Sequence, residues 1–157
     1  MSREHESEDA RPVDSSAESG TVSPLSQDRI KALFDSRGWK WFVDNEGDLG
    51  GIWDGNSFYF LLVGPNKTIL QILGNHNREI AIDRLDDVRE FIRVWHRDKL
   101  WPKVSHRVAD DGDLRVQTEN IVDWERGATD AQLLQQIDCA LGTAADFYGA
   151  LEEELGL

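Results

Sequence analysis

Three acidic side chains at alternating positions form the first group whose type and spacing could bind a metal ion. Asp44, Glu46 and Asp48 have the spacing of the first ligands in a calcium-binding loop. Such a loop needs glycine where this chain has Leu49, and a bidentate glutamate where it has Gly55. The pattern therefore favours an acidic turn between two strands, and we expect no metal site.

Residues 64–68 (GPNKT) end in Lys-Thr after an apolar segment, as a phosphate-binding loop does. In that motif glycine precedes the lysine, and a helix follows whose N-terminal amides hold the phosphate. Here Asn66 precedes Lys67, and residues 68–73 (TILQIL) predict a strand. We therefore expect a hairpin turn and no bound cofactor.

The remaining residues with catalytic potential are three histidines and three nucleophiles. They are His76, His96, His106, Ser57, Ser105 and Cys139. No two of these histidines have the i, i+4 spacing of a zinc site on a helix. None of the nucleophiles has a base or an orienting group at a recognisable spacing. The sequence thus predicts no catalytic residues and a structural role for the histidines.

A basic strip is predicted on the second helix and the turn that follows it. Arg89, Arg93 and Arg97 recur every four residues, so they share one flank of that helix. Lys99 and Lys103 continue the basic character beyond the helix end, and Trp101 lies between them and is included in the predicted partner-binding surface. On an acidic chain these residues suit the binding of an acidic peptide or of the chain's own tail. The alternative is a solvated helix face, because cations near a helix C-terminus complement its dipole.

Four tryptophans suggest a second kind of site. Trp39, Trp41, Trp53 and Trp101 could wall a pocket for a small molecule, since aromatic side chains commonly line such pockets. The alternative is that these side chains belong to the hydrophobic core. The sequence leaves both interpretations open.

The overall charge of the chain narrows the class of partner. The 157 residues carry a formal net charge of −13, which repels nucleic acid and anionic membranes at long range. The chain has no apolar run of about 20 residues, and its start lacks the residue order of a signal peptide. The single cysteine excludes an intrachain disulfide. We therefore expect a cytoplasmic protein that binds neither nucleic acid nor membranes.

The first part of the chain differs in composition from the rest. In residues 1–23 only Val13 and Val22 are aliphatic residues larger than alanine, and acidic residues outnumber basic ones. Two buried valines contribute about 3–4 kcal/mol, whereas ordering each residue costs about 1–2 kcal/mol. Residues 1–23 are therefore predicted to be a disordered acidic tail, and residues 24–157 a single folded domain.

Hydrophobic patterns in the folded part predict helices and strands in a definite order. A first helix is capped by Ser26 and ends at Gly38, and four strands follow it. A second helix ends in residues 95–104 (WHRDKLWPKV), which turn the chain into two more strands. The last helix begins at a capping box formed by Thr129 and Gln132. The order α-β-β-β-β-α-β-β-α predicts an α+β fold with an antiparallel sheet.

Two of the predicted strands have unusual features. Residues 57–63 (SFYFLLV) are apolar on both faces, so this strand is either covered twice or meets another chain. Gly50 and Gly51 weaken the preceding strand and indicate a bulge or a close approach to the backbone. The first feature favours contact with a second copy of the chain.

Several of these segments together resemble the YbjN family, and in particular its actinobacterial branch. The resemblance runs in order from residue 24 to residue 155. It is carried by residues 25–30 (LSQDRI), Gly38-Trp39, residues 44–53, Ile69-Leu70-Gln71, residues 95–104 and residues 129–141 (TDAQLLQQIDCAL). The WxRDxLWPK pattern followed by TDAQL is fairly specific. His96 departs from the family, which more often has asparagine there.

The resemblance implies a class of function. YbjN proteins are described as bacterial sensory-transduction regulators, and their fold is similar to that of type III secretion chaperones. Those chaperones are small, acidic, cytosolic α+β proteins that commonly dimerise and bind partner polypeptides. The family brings no enzyme activity and no catalytic residues. We therefore expect a homodimeric, non-enzymatic protein-binding module of the bacterial cytosol, chaperone-like or regulatory.

Two other functions remain as alternatives. A small-ligand sensor would use the tryptophan-lined pocket. An enzyme ranks last, because it would need scattered catalytic residues that no spacing in the sequence brings together.

Overall fold

The computed structural model describes residues 20–157. Of the predicted acidic tail, residues 1–19 lie outside the described residues. Ser23 belongs to the folded part, because its backbone forms an antiparallel bridge with Ala128. The guanidinium of Arg29 donates to the carbonyl oxygens of Ser23 and Ala128 at 2.7 and 3.0 Å. The start of the described chain is thereby tied to the start of the last helix.

Three α-helices, one short 3₁₀ helix (Ile82–Arg84) and six strands make up the regular structure of residues 20–157. The helices are α1 (Gln27–Ser36), α2 (Leu85–Asp98) and α3 (Asp130–Leu155). The strands are β1 (Phe42–Val43), β2 (Leu49–Trp53), β3 (Asn56–Val63), β4 (Ile69–Asn75), β5 (Lys103–Val108) and β6 (Leu114–Asp123). All neighbouring strands are antiparallel, in the order β1-β2-β3-β4-β6-β5. The predicted α+β fold and its order of elements are confirmed.

The helix boundaries follow from residues that the sequence identifies. Ser26 Oγ accepts a hydrogen bond from the Arg29 backbone N–H at 3.1 Å, which caps α1. Gly38 ends that region with a φ of 69°, which glycine adopts without a steric penalty. Thr129 Oγ1 accepts from Gln132 N at 3.1 Å, and Gln132 Oε1 accepts from Thr129 N at 2.9 Å. The predicted capping box is therefore confirmed.

All three helices cover the same face of the sheet. α3 lies at the centre of the helical layer, where it contacts β4 and β6 beneath it and α1 and α2 beside it. The apolar stripe of α3 is buried and consists of Leu133, Ile137, Ala140, Ala144, Phe147, Tyr148, Leu151 and Leu155. No helix in the described range is both long and apolar enough to cross a membrane.

The two glycines of β2 allow aromatic rings to approach the sheet. A Cβ on Gly50 would lie 2.7 Å from the ring of Phe42, and one on Gly51 would lie 2.5 Å from the ring of Trp53. The pairing of β2 with β3 runs without an inserted residue. Of the two alternatives predicted for these glycines, the close approach is confirmed and the bulge is wrong.

The connection between α2 and β5 is held by side chains in the last turn of α2. Trp95 Nε1 donates to the backbone oxygen of Trp101 at 3.1 Å, and His96 Nε2 accepts from the Val104 N–H at 2.9 Å. The Trp101-Pro102 peptide bond is cis. His96 therefore has the structural role predicted for the histidines, and it fixes the place where β5 begins.

The other face of the sheet is not covered by any described part of the chain. Its apolar residues come from five of the six strands and lie on β1 to β4 and β6. They are Phe42, Ile52, Tyr59, Leu61, Val63, Ile69, Leu73 and Ile121. β3 is thus apolar on both faces, as predicted, with one face covered by the helices and the other partly exposed.

Candidate functional site

A cleft of about 620 Å³ lies between α3, β6 and the segment that precedes β5. Binding sites for small molecules commonly have volumes of about 300–1,000 Å³. The lining residues come from these three elements and from Trp124, which directly follows β6. They are Leu100, Trp101, Lys103, Glu119, Asn120, Ile121, Val122, Trp124, Gln132, Gln135, Gln136 and Cys139.

The cleft exists because β6 continues past the end of β5. β5 pairs with β6 only as far as Glu119. On its other side β6 stays paired with β4 as far as Asp123. Residues 120–123 therefore have a neighbouring strand on one side only. On the open side, the cleft lies where a second neighbouring strand would otherwise be.

The hydrogen bonds of β6 show which of its backbone groups face the cleft. Leu114 exchanges both of its backbone hydrogen bonds with Ile80, which lies on the β4 side. The direction of the N–H and C=O groups alternates along a strand, so the even-numbered residues of β6 face β4 and the odd-numbered ones face β5. Beyond the end of β5, the backbone groups of Ile121 and Asp123 consequently point into the cleft with no strand opposite them.

The α3 wall of the cleft is built on a buried network of amides. Gln136 Nε2 donates to the Leu70 backbone oxygen at 2.9 Å and to Asn120 Oδ1 at 3.2 Å. Gln136 Oε1 accepts from Trp124 Nε1 at 2.7 Å. Gln136 is only 6% exposed, so these bonds replace its bonds to water. The network fixes the positions of Asn120 and Trp124 in the lining.

Large apolar side chains lie exposed at the mouth of the cleft. Leu100 is 85% exposed and Trp101 is 50% exposed, although both are residues that bury readily. Lys103 and Glu119 lie opposite each other where β5 begins, so this end of the cleft carries charges of both signs. The mouth therefore offers apolar contact area next to a small charged border.

Cys139 is the nucleophilic residue of the cleft. Its Sγ lies 3.9 Å from the amide nitrogen of Asn120. Burial raises the pKa of the Cys139 thiol, so the thiol stays protonated at neutral pH and is a weak nucleophile. The rest of the cleft is lined by amide, aromatic and aliphatic side chains, with Lys103 and Glu119 at its border. This chemistry suits non-covalent binding.

Comparison with known proteins adds a family to this geometry. Residues 26–153 match the model of the YbjN family, whose description is "Putative bacterial sensory transduction regulator". The chain belongs to the YbjN family. The predicted membership is therefore confirmed. No curated protein matches the sequence significantly.

Two solved structures share the fold of this YbjN chain. The crystal structure of E. coli YbjN has a TM-score of 0.69 and 12% sequence identity, with 82% of this chain and 92% of that chain covered. An uncharacterized protein from Methanothermobacter thermautotrophicus has a TM-score of 0.55 and 12% identity, with 82% and 98% covered. Identity this low shows the fold alone. The description of the family as a regulator supports a regulatory or binding role in general.

The structure separates the predicted partner-binding residues into two groups. Trp101 and Lys103 line the cleft. Arg89, Arg93 and Arg97 lie on an exposed flank of α2, where the last two each form an ion pair with a carboxylate of the same helix. Such exposed pairs contribute about 0–1 kcal/mol. The geometry of the three arginines is that of a solvated helix face, and their partner-binding role stays a prediction.

The four tryptophans predicted to wall one pocket do not come together. Three of them, Trp39, Trp41 and Trp53, lie beside α1. The rings of Trp39 and Trp53 pack against Phe34 at centroid distances of 5.7 and 5.9 Å. Trp101 precedes β5, and β3, β4 and β6 lie between it and β2. The predicted pocket is therefore wrong in its composition, and the tryptophan that joins Trp101 in a lining is Trp124.

His76 belongs to a second polar cluster, at the C-terminal end of α3. Its ring stacks on Tyr148 at 4.8 Å, and its Nε2 lies 2.9 Å from Glu152 Oε1. Burial lowers the pKa of His76, so the ring is neutral at pH 7. Burial also raises the pKa of Tyr148 to about 12, and the Tyr148 hydroxyl bonds to Thr118 Oγ1 at 2.9 Å. These contacts join α3 to the sheet, in agreement with a structural role for His76.

The acidic residues Asp44, Glu46 and Asp48 lie in the turn between β1 and β2. The Asp44 carboxylate accepts hydrogen bonds from the backbone N–H groups of Glu46 and Asp48, both at 2.9 Å. The three carboxylates come within 4.8 Å of one another. An acidic side chain that closes its own turn accounts for the pattern, as the sequence indicates.

Most of the cleft is not predicted from the sequence. Asn120 and Trp124 are ordinary residues near the end of a predicted strand, with no motif around them. One signal does exist on the last helix, where Gln136 interrupts the apolar stripe between Leu133 and Ile137. An amide on a core stripe needs hydrogen-bond partners, so it indicates a buried polar network beneath that turn.

Proposed function

We propose that this chain is a non-enzymatic protein-binding module and that the cleft beside β6 holds a segment of a partner polypeptide. The observation that carries the proposal is the unpaired length of β6, residues 120–123, which forms one side of the cleft. Backbone groups along a strand are strong donors and acceptors, and another polypeptide supplies matching groups at the same spacing. The family's description as a regulator is compatible with this role.

The side chains of the cleft support the same proposal. Leu100 and Trp101 present apolar area at the mouth, and burying a side chain of the size of leucine contributes about 1.5–3 kcal/mol. Gln132 and Gln135 add amide groups along the α3 wall, which donate to and accept from a peptide backbone. An exposed apolar site with amide walls is a common composition for an interaction surface.

A small-ligand sensor is the second candidate, because the volume of the cleft also suits a small molecule. Its aromatic walls would be Trp101 and Trp124. The protein-binding module is expected to bind peptides, whereas the sensor is expected to bind a metabolite.

The experiment is a selection of random peptides displayed on phage against the full chain, followed by fluorescence anisotropy with the best peptide. Gln135 is exposed and lines the cleft, so Gln135→Trp fills the site without disturbing the core. The variant is expected to bind the peptide at least about tenfold more weakly than the unmodified chain, because the indole occupies the binding volume.

Glu153→Trp is the matched control. Glu153 is exposed on the same helix, about 27 Å along its axis from Gln135. This variant is expected to bind the selected peptide like the unmodified chain. Equal binding by all three proteins, or no peptide enriched above background, would contradict the proposal. Binding of a metabolite by the purified chain, with no peptide enriched, would favour the sensor.

A second copy of the chain is the proposed partner of the uncovered sheet face. The charged residues of that face are Lys103, Arg107, Arg115, Glu119 and Asp123, so its charges are nearly balanced in a chain of net charge −13. Two such faces can meet without the repulsion that the rest of the surface would cause. Light scattering after size exclusion is expected to give a mass near twice 17.8 kDa, and a mass of 17.8 kDa would contradict the dimer.

A further inference from the structure

We propose that the partner segment binds by adding a strand to the free edge of β6, antiparallel to it and in line with β5. This inference rests on the proposed function and specifies how the partner is held. The occupant is an extended peptide whose backbone pairs with Ile121 and Asp123, and whose side chains alternate between the cleft and the uncovered sheet face.

The unpaired backbone groups define the mode of binding. Ile121 and Asp123 each direct one N–H and one C=O toward the open side of β6, because the even-numbered residues face β4. A helix satisfies its own backbone groups and has none to offer along its length, whereas an extended segment presents one donor and one acceptor at every second residue. The spacing of the free groups therefore fits a strand.

The place of the new strand is already set by β5. β5 lies beside β6 up to Glu119, and the cleft continues the same line beside residues 120–123. Every neighbouring pair in the sheet is antiparallel, including β5 with β6. A segment that continues the ladder in the same direction as β5 keeps the hydrogen-bond geometry of the sheet, which fixes the orientation as antiparallel to β6.

The two outer edges of the sheet are poor sites for such an addition. The outer edge of β5 carries exposed Lys103 and Arg107, and charged side chains on an edge strand oppose pairing with another chain. β1 at the other edge has only two residues, Phe42–Val43. The free part of β6 lies one strand in from the β5 edge and carries Ile121, which is 49% exposed. Addition of a strand is therefore directed to this one position.

The pleat of β6 sets the chemistry of the partner segment. The partner residue opposite Ile121 lies on the uncovered sheet face, and those opposite Asn120 and Val122 point toward α3. On that side they meet Gln136, which is 6% exposed, and Cys139, whose thiol is neutral. A charged side chain would lose its water there without an opposite charge, so the inward positions of the segment are uncharged. The partner is thus an extended segment with uncharged residues at alternate positions.

The test uses the peptide selected on phage and the full chain. In a series of synthetic copies of that peptide, one backbone nitrogen at a time carries a methyl group, which removes a donor. Strand addition predicts an alternating result: methylation at every second residue weakens binding by at least about tenfold, and methylation at the residues between has little effect.

Ile121→Pro tests the same contact from the side of the protein. Proline removes the N–H that faces the cleft and leaves the β4–β6 ladder intact, because Ile121 does not bond to β4. The variant is expected to bind the selected peptide at least about tenfold more weakly than the unmodified chain. If the proline variant does not fold, the methylated peptides still test strand addition, because that experiment uses the unmodified chain.

The outcomes separate this inference from the proposed function. A selected peptide that Gln135→Trp excludes, but whose binding shows no alternation on methylation, overturns strand addition and leaves the cleft as the binding site. A methylation effect on three or more consecutive residues indicates that the peptide binds as a helix, which also overturns it. Failure to select any peptide removes the proposed function itself.

Discussion

Replacement of Gly74 by alanine is expected to lower the free energy of unfolding by about 2–3 kcal/mol. Gly74 lies on β4 beneath α3, and a Cβ there would come within 2.4 Å of Thr118 Oγ1 and 2.6 Å of the Phe58 ring. It would also lie 2.9 Å from the Tyr148 hydroxyl, which bonds to Thr118. These neighbours are buried, so they cannot move aside without disturbing the contact between α3 and the sheet.

Urea unfolding followed by tryptophan fluorescence measures the effect. Gly142→Ala is the matched control, because Gly142 lies in α3 and a Cβ there would meet no atom within 4 Å. In the interior of a helix alanine is more favourable than glycine by about 0.8–1 kcal/mol, so this variant is expected to be slightly more stable. Equal stability of the two variants would show that α3 does not pack on β4 as closely as described.

Replacement of Gln136 by leucine is expected to cost about 2–4 kcal/mol of stability, although leucine is apolar and of similar size. The Gln136 amide accepts from Trp124 Nε1 and donates to Asn120 Oδ1 and the Leu70 carbonyl. Leucine leaves Trp124 Nε1 and Asn120 Oδ1 without this partner, and each unsatisfied buried group costs about 1–3 kcal/mol. The free energy lost with these hydrogen bonds therefore exceeds the free energy gained by burying the leucine side chain.

Gln135→Leu controls for the substitution itself. Gln135 is the preceding residue of α3 and is exposed, so the same change there is expected to alter the unfolding free energy by less than about 0.5 kcal/mol. Chemical unfolding of both variants gives the comparison. A Gln136→Leu variant as stable as the original chain would mean that the amide network contributes nothing to holding the cleft wall.

The fold was largely predictable because its signals are local. Ser26, Gly38 and the Thr129–Gln132 pair mark helix ends through bonds within a few residues, and the structure contains each of them. The turn after α2 was equally visible, since Pro102 cannot continue a helix. Family membership rests on the same ordered segments.

The cleft could not be predicted because it depends on the register of strands far apart in sequence. The pairing of Lys103 with Glu119 determines how far β5 extends along β6, and no local sequence pattern sets that pairing. The side of β6 that stays unpaired also depends on β4 lying on the other side. A prediction of the strands alone gives neither their order in the sheet nor their overlap.

The tryptophan residues show the same limit in another form. Composition identifies them as large side chains that are readily buried, but it does not predict which of them lie near one another in the fold. Trp39 and Trp53 turned out to share a core with Phe34, whereas Trp101 lies near Trp124 at the cleft. Only the strand order separates the two groups.

The most direct test of the binding site is the exchange of single backbone amides with deuterium, measured by NMR with and without the selected peptide. In the free chain the amides of Asn120 and Val122 are expected to exchange slowly, because they bond to β4, and those of Ile121 and Asp123 rapidly. Addition of the peptide is expected to slow exchange at Ile121 and Asp123. Slow exchange at both residues in the free chain, or rapid exchange that persists when the peptide is bound, would contradict the assignment of this edge as the binding site.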